Sequence, residues 1–276
     1  MAETGRLTLP AAGGWAALPL KRRVALLRVA IIVTLVVVWE AVAASGLLFR
    51  DVVPSLFTVG RALVSILTVP DYKAQIFGSE YVIPEFYRHL WVTMYEVMTA
   101  MVIGGLTGLV VGLLLGANPF LSQAFERFLY YLGPTPKIIF FPLMIMWFGV
   151  GPGSKVAMGT ISCFFPVVLS AAAGVRQIDK VLIRVGKSFR VNTWQMVTKI
   201  YLPAMRQPII NGVRLGLGVA VIGTLLAETK LSNQGLGFLI INSYTTFDMP
   251  RMYALLILLF SVSIAANSLV SRASKT

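Results

Sequence analysis

Charged side chains set inside apolar sequence are the residues of this chain that could do chemistry. Glu96 and Arg214 each lie within a long apolar run, Glu40 lies near the end of another, and Glu228 and Lys230 flank the end of the run that holds Arg214. A charge in hydrocarbon is costly unless paired, so such groups are candidates for binding a charged solute, relaying a proton or holding a counter-ion. Duller roles compete: Arg214 sits near enough to the end of its run to snorkel to an interface, and Glu40 sits at the rim of its own. Other chemistries lack their parts. Cys163 is the only cysteine and lies in an apolar run, which excludes a disulfide and a Cys metal site. His89, the only histidine, stands where the chain enters another run and reads as a satisfied boundary residue. No Gly-x-x-x-x-Gly-Lys-Ser/Thr loop is present, so this chain does not hydrolyse ATP itself. The expectation is a protein with no catalytic residue and no metal.

The elements that carry these residues must live in a bilayer. The 276 residues are 57% hydrophobic and 13% charged, against roughly 25% charged in a soluble domain. A helix needs about 20 apolar residues to cross roughly 30 Å of hydrocarbon. Runs of that kind cover Val29–Phe49, Leu90–Ala117, Val156–Val175, Pro208–Ala227 and Tyr253–Val270, with a short, proline-marked one at Pro136–Val150. Spanning backbone satisfies its own hydrogen bonds, and no strand-like alternation is visible, so the fold class is an all-α polytopic membrane protein of about six helices. A cleavable leader is the alternative for the first run, since Ala41-Val42-Ala43 has the small-x-small form of a cleavage site.

Positive charge orients the spans, because Lys and Arg in short loops stay cytoplasmic. Residues 1–28 carry Arg6, Lys21, Arg22, Arg23 and Arg28 against Glu3, whereas Arg50 to His89 holds four basic and four acidic residues. The segment from Arg176 to Arg206 holds Arg176, Lys180, Arg184, Lys187, Arg190, Lys199 and Arg206 against Asp179. Glu228, Lys230, Asp248 and Arg251 balance, and the tail has Arg272 and Lys275. Both termini and the 176–206 loop are therefore expected in the cytoplasm, and the net charge of +13 needs no nucleic-acid partner.

Two patterns speak to packing. Gly104, Gly108, Gly112 and Gly116 recur every fourth residue and line one helix face, which lets a second helix approach; Gly212 and Gly216 repeat the device. Pro134, Pro136 and Pro142 break the third run before Met146, Trp147, Phe148 and Gly149. Irregular backbone at membrane depth is tolerated where it is buried or lines a cavity, so this run lines a pathway or is simple packing.

The basic stretch "VLIRVGKSFRVNTWQMVTKIYLPAMRQPI" interrupts the apolar chain. Leu182, Val185 and Phe189 form a helical stripe, and Asn192 followed by Gln195 reads as a cap opening a second short helix, with Trp194, Val197 and Tyr201 on one side and a stop before Pro203. A folded loop that is apolar on one side and basic elsewhere can lie on the membrane surface or plug into a partner, and the residues leave both open.

Ile200-x-Leu202-Pro203 resembles the end of the loop signature of binding-protein-dependent ABC importer permeases, Glu-Ala-Ala-x-x-x-Gly-x(9)-Ile-x-Leu-Pro. "PTPKIIFFPLMIMWFGVGPGSKV", "FFPVVLSAAAGVRQID" and "AVIGTLLAETKLSNQGLGFLI" look like the sulfonate, taurine and nitrate branch of that family, and the likeness runs from about Trp39 to Ser268. The resemblance implies a type I importer permease core (MetI-like) over 90–270. A cytoplasmic segment 1–28, a first span 29–49 and a periplasmic connection 50–89 precede it, and a tail 271–276 follows.

The loop would be a coupling helix docked on a cytosolic ABC ATPase that binds ATP and Mg, with no cofactor in this chain. A periplasmic solute-binding protein would deliver a small solute, such as a sulfonate, taurine, nitrate or a small heterocycle. The candidate coupling residues are Arg184, Val185, Gly186, Phe189, Arg190, Asn192, Trp194, Ile200, Leu202 and Pro203. Pathway candidates are Pro142, Met146, Trp147, Phe148, Glu96, Arg214 and Glu228. The signature's Glu, Ala, Ala and Gly fall on Arg184, Val185, Gly186 and Arg190, so none is kept, and Glu96 stands where the branch has Arg. Those departures point to a heterodimer with a second permease subunit, the alternative being a homodimer with a specialised ATPase. An ion-driven carrier in a bacterial inner membrane shares the same hydropathy and stays open.

Overall fold

The computed structural model describes residues 19–46, 52–76 and 79–273. The first eighteen residues of the expected N-terminal segment, positions 47–49 of the expected first span, Arg50, Asp51 and Lys275 lie outside them. The chain divides into two compact units, residues 1–59 and 60–276.

The first unit is dominated by α1 (Leu20–Ser45), which has no buried residue. It begins nine positions before the hydropathy run, because Lys21, Arg22 and Arg23 extend the same helix with cations at its end, where they can snorkel. Gly46 stops it at φ 65°, a left-handed backbone that glycine adopts without strain. Ala41–Ala43, the candidate cleavage site, lies inside the continuous helix. Glu40 does not stand idle: its Oε1 accepts the Leu56 N–H at 2.7 Å, where α2 (Leu56–Thr68) begins. The indole of Trp39 donates to Pro54 O at 3.0 Å.

The second unit takes in the rest of α2 and a hairpin that hydropathy does not show, β1 (Tyr72–Ile76) and β2 (Ser79–Ile83), antiparallel with Tyr72 opposite Ile83. The long helices follow as α3 (Glu85–Ala117), α6 (Pro152–Arg176), α10 (Arg206–Glu228) and α12 (Met249–Ala273). Each overruns its apolar run by a few polar residues, since a helix continues until its caps end it, whatever the hydropathy. Among the described residues they make, with α1, five helices long and apolar enough to cross a membrane.

The proline-marked run takes another form. In place of a span at 136–150, α4 (Pro119–Leu132) meets a 3₁₀ turn, Lys137–Phe140, and α5 (Phe141–Phe148), and the two arms are bent by 95°. Pro134 and Pro136 cannot donate to a helix ladder, so the break falls there. Lys137 fills the gap by donating its ammonium to Gly133 O and Thr135 O, under the Phe165 ring.

The core is an α3/α6/α10 sandwich built on small residues. A Cβ at Gly112 would lie 2.5 Å from Ala171 Cβ and 2.6 Å from Val168 O, and one at Gly104 would lie 2.6 Å from Thr160 O. The four-residue glycine stripe is thus the seam on which α3 meets α6, while Gly212 faces Ser170 and Gly216 faces Val167 across the other side. Without a hydrophobic drive between helices in lipid, this close backbone approach supplies the packing. At the far end, α11 (Leu236–Thr245) packs Leu236 and Leu239 with Phe86 and Leu255.

Candidate functional site

The basic loop between α6 and α10 is rigidly built. The Asp179 side chain caps α7 (Lys180–Ser188) by accepting Val181 N–H at 2.7 Å. The helix ends when Arg190 turns to φ 50°, its N–H on Lys187 O at 3.0 Å, and Val191 N–H returns to Gly186 O at 3.2 Å. The left-handed turn that the signature builds with glycine is therefore kept with an arginine, at a cost of roughly 1–2 kcal/mol. Gly186 has a reason of its own: a Cβ there would stand 2.4 Å from Ile200 Cδ1, so two signature positions touch and leave no room for alanine without displacing the Ile200 tip.

The cap read from the sequence is present as a capping box, with Asn192 Oδ1 accepting Gln195 N–H at 2.7 Å and Gln195 Oε1 accepting Asn192 N–H at 3.1 Å. Beyond it the expected single helix does not form. α8 (Thr193–Gln195) passes into a π-helical turn, Met196–Tyr201, then α9 (Leu202–Ala204). Pro203 does not end the segment; it sits in the first turn of α9, where its missing N–H is harmless, and the break comes at Met205 (φ −104°, ψ 23°). Fully buried Met205 packs on Ala171, Val175 and Ile178. Arg176 pairs with Glu126 at 2.7 Å, tying the start of the loop to α4. Both ends of the loop are thus fastened to the helix bundle.

The candidate coupling residues present different faces. Leu182, Val185 and Phe189 stand outward, Phe189 at 79% exposure. Trp194, Val197 and Tyr201 share one side, as their spacing suggested, and face a groove along α3. Arg184 and Arg190 are exposed, and Gly186 is buried.

The pathway candidates separate into three places. Pro142, Met146, Trp147 and Phe148 are exposed on α5, while Phe141 and Met144 bury its other face against Met158 and Ala227. Arg214 donates from Nε to Asn267 Oδ1 of α12 at 3.2 Å. Glu96 and Glu228 come together in the interior, 2% and 0% exposed.

That interior pair belongs to a polar latch. Glu228 Oε1 accepts the Thr93 hydroxyl at 2.7 Å, Glu228 Oε2 accepts Gly237 N–H at 2.6 Å, and Thr93 Oγ1 accepts Leu236 N–H at 2.8 Å. His89 Nδ1 accepts Gly235 N–H at 2.9 Å, and its Nε2 lies 3.2 Å from Glu85 Oε1. His89 is accordingly the satisfied boundary residue its position suggested. The N–H groups of Gly235, Leu236 and Gly237 at the start of α11 thus find their acceptors on α3 and α10. Glu96 stands beside Glu228 in this interior. Buried Lys155 faces both and donates to Val150 O and, at 2.8 Å, to Leu231 O.

Lys155 and Thr93 carry no mark in the sequence. Lys155 precedes the apolar run at Val156 and looks like an ordinary flanking cation; only the helix start at Pro152 shows it to be one turn inside.

Comparison with known proteins gives this arrangement its family. The chain is 29% identical to the taurine transport system permease protein TauC of Escherichia coli (strain K12) over 80% of its length and 77% of that protein. It is 27% identical to the putative aliphatic sulfonates transport permease protein SsuC of Bacillus subtilis (strain 168), over 86% and 80%. In fold it is similar to a chain of the inward-facing MetNI methionine ABC transporter, with a TM-score of 0.62 at 19% identity over 69% of this chain and 94% of that one. Residues 104–275 match the family of binding-protein-dependent transport system inner membrane components. The chain belongs to that family, as the multi-pass membrane subunit of an ABC importer whose ATP hydrolysis is done by a separate subunit.

Proposed function

We propose that the chain lies in a bacterial inner membrane with both termini and the 176–206 loop cytoplasmic, and that this loop is the lever through which a cytosolic ATPase, binding ATP and Mg, drives the pathway. The observation that carries the reading is an exposed apolar stripe, Leu182, Val185 and Phe189, on a helix whose flanks are fastened to α6 and α10. A pull on α7 must move the helices, because the packed joints around Met205 and Arg176 leave no slack. Alternating access then needs only two arrangements of the bundle, each favoured by one nucleotide state.

The solute is a small anion of the sulfonate, taurine or nitrate kind, or a small heterocycle, delivered by a periplasmic binding protein. The support is the set of relatives, which includes a nitrate import permease and a formylaminopyrimidine transport permease. Lys137 is engaged by carbonyls and adds nothing to it. The pathway is formed with a second permease subunit, and the departures at Arg184, Val185, Gly186 and Arg190 favour a heterodimer whose partner keeps the usual loop. A purified complex with one permease species overturns the heterodimer.

The coupling test is purification in mild detergent with the partner ATPase. Phe189→Asp and Arg190→Asp are expected to release the ATPase and to abolish stimulation by the binding protein. An ATPase that stays bound to both variants removes the loop from the docking surface.

A further inference from the structure

The loop has a second working face, turned away from the docking stripe. With 3.6 residues per turn, Lys187 lies about 170° round α7 from the midpoint of Leu182 and Val185. On that side Lys187, Val191, Thr193, Trp194, Val197 and Tyr201 wall a groove of about 790 Å³ whose other wall is the last two turns of α3, from Val110 to Ala117. Over those residues the groove descends about 10 Å along the helix. Leu114 and Leu121 are shared with a second, wholly apolar groove of about 420 Å³ that runs under Phe125, Phe128 and Leu132 of α4. The pair makes two largely apolar channels meeting at one ridge, with Lys187 the one charged group in the lining and Asn118, Thr193, Trp194 and Tyr201 its other polar ones. Lys180, Arg184, Arg190 and Lys199 of the same loop are also exposed, and the one acid of the loop, Asp179, is spent on capping Val181.

We infer that this is a binding site for an anionic diacyl phospholipid of the cytoplasmic leaflet, its acyl chains in the two channels and its phosphate at Lys187. Two chains and one negative head match two apolar channels and one cationic mouth, and basic pockets among helices on the cytoplasmic side recruit anionic headgroups. The stretch that sequence left between a membrane-surface helix and a partner plug is then both, on opposite faces. The orientation used here rests on the topology proposed above; the lipid site does not require that the ATPase docks on Phe189.

The test is native mass spectrometry of the whole transporter complex after exchange into vesicles of phosphatidylglycerol, phosphatidylcholine or an equal mixture. Wild type is expected to retain phosphatidylglycerol over phosphatidylcholine by about fivefold or more, the preference of a single basic contact. Lys187→Glu is expected to abolish it, Lys187→Arg to keep it, and Lys230→Glu, at the other end of the bundle, to leave it unchanged. Leu114→Trp, which fills the ridge, should lower retention of both lipids. Equal retention of the two lipids by wild type, or an unaltered preference in Lys187→Glu, overturns the site. Loss of the ATPase from Lys187→Glu shows instead that this face is the protein interface, whereas loss from Phe189→Asp alone leaves the lipid site standing.

Discussion

At the scale of single residues, the latch around Glu228 carries the sharpest expectation. Its two oxygens each accept from a different donor, Thr93 and Gly237, so an amide there must turn its NH₂ toward one of them. Glu228→Gln is expected to cost about 2 kcal/mol, the cost of a buried donor left without a partner. Glu96→Gln should stay within about 1 kcal/mol, because its Oε2 has no partner among the described residues and the amide is neutral and of the same shape. Thermal unfolding of the detergent-solubilised chain compares the two, and an equal loss removes the asymmetry. At Arg190 the sign reverses. Glycine relieves the φ 50° strain, so Arg190→Gly is expected to stabilise the loop by about 1 kcal/mol, read by hydrogen exchange of Val191 N–H, which bonds Gly186 O. The departure at Arg190 is legible from the signature, but the latch is not: Thr93 and Glu228 are 135 residues apart, and a lone threonine in an apolar run carries no local signal.

At the scale of elements, legibility follows the range of the interaction that builds each one. The capping box at Asn192 and Gln195 spans three residues and the glycine stripe one helix, so both were readable as periodic or adjacent patterns. The β1–β2 hairpin, α2, α4 and α11 were not, because each is short, and α11 takes its stability from packing against Phe86 and Leu255. The π-helical turn at Met196–Tyr201 has no sequence mark either; it follows from seating Ile200 on Gly186 while Met205 stays in the core. The stripe gives a paired test. Gly112→Leu must push aside Val168 O and Ala171 Cβ and is expected to cost 3 kcal/mol or more, about the upper range for overpacking. Gly105→Leu, where nothing lies within 4 Å of the added Cβ, should be tolerated. The yield of monodisperse protein and its midpoint of thermal unfolding separate the two, and comparable damage from both would place the α3–α6 seam elsewhere.

At the scale of the whole molecule, the parity of crossings decides the orientation of every downstream part. If the bent pair α4 and α5 counts as one crossing, the chain has six spans, and a cytoplasmic start leaves α7 inside and Lys230 outside. If the pair only dips into one leaflet, the count is five, and both positions exchange sides. The seven cations between Arg176 and Arg206 favour the first arrangement, since inverting the loop would carry all of them across. The chain is suited to the measurement, because its single cysteine, Cys163, is fully buried in α6 and gives a silent background. Single cysteines at Lys180 and Lys230, both exposed, are expected to react with a membrane-impermeant maleimide from opposite sides of intact cells: Lys230→Cys from outside, Lys180→Cys only after the membrane is opened. The reverse pattern makes the proline-broken pair re-entrant, moves the basic loop out of reach of any cytosolic ATPase and ends the coupling proposal with it. Labelling of both from one side excludes α10 as a crossing and contradicts the six-span plan altogether.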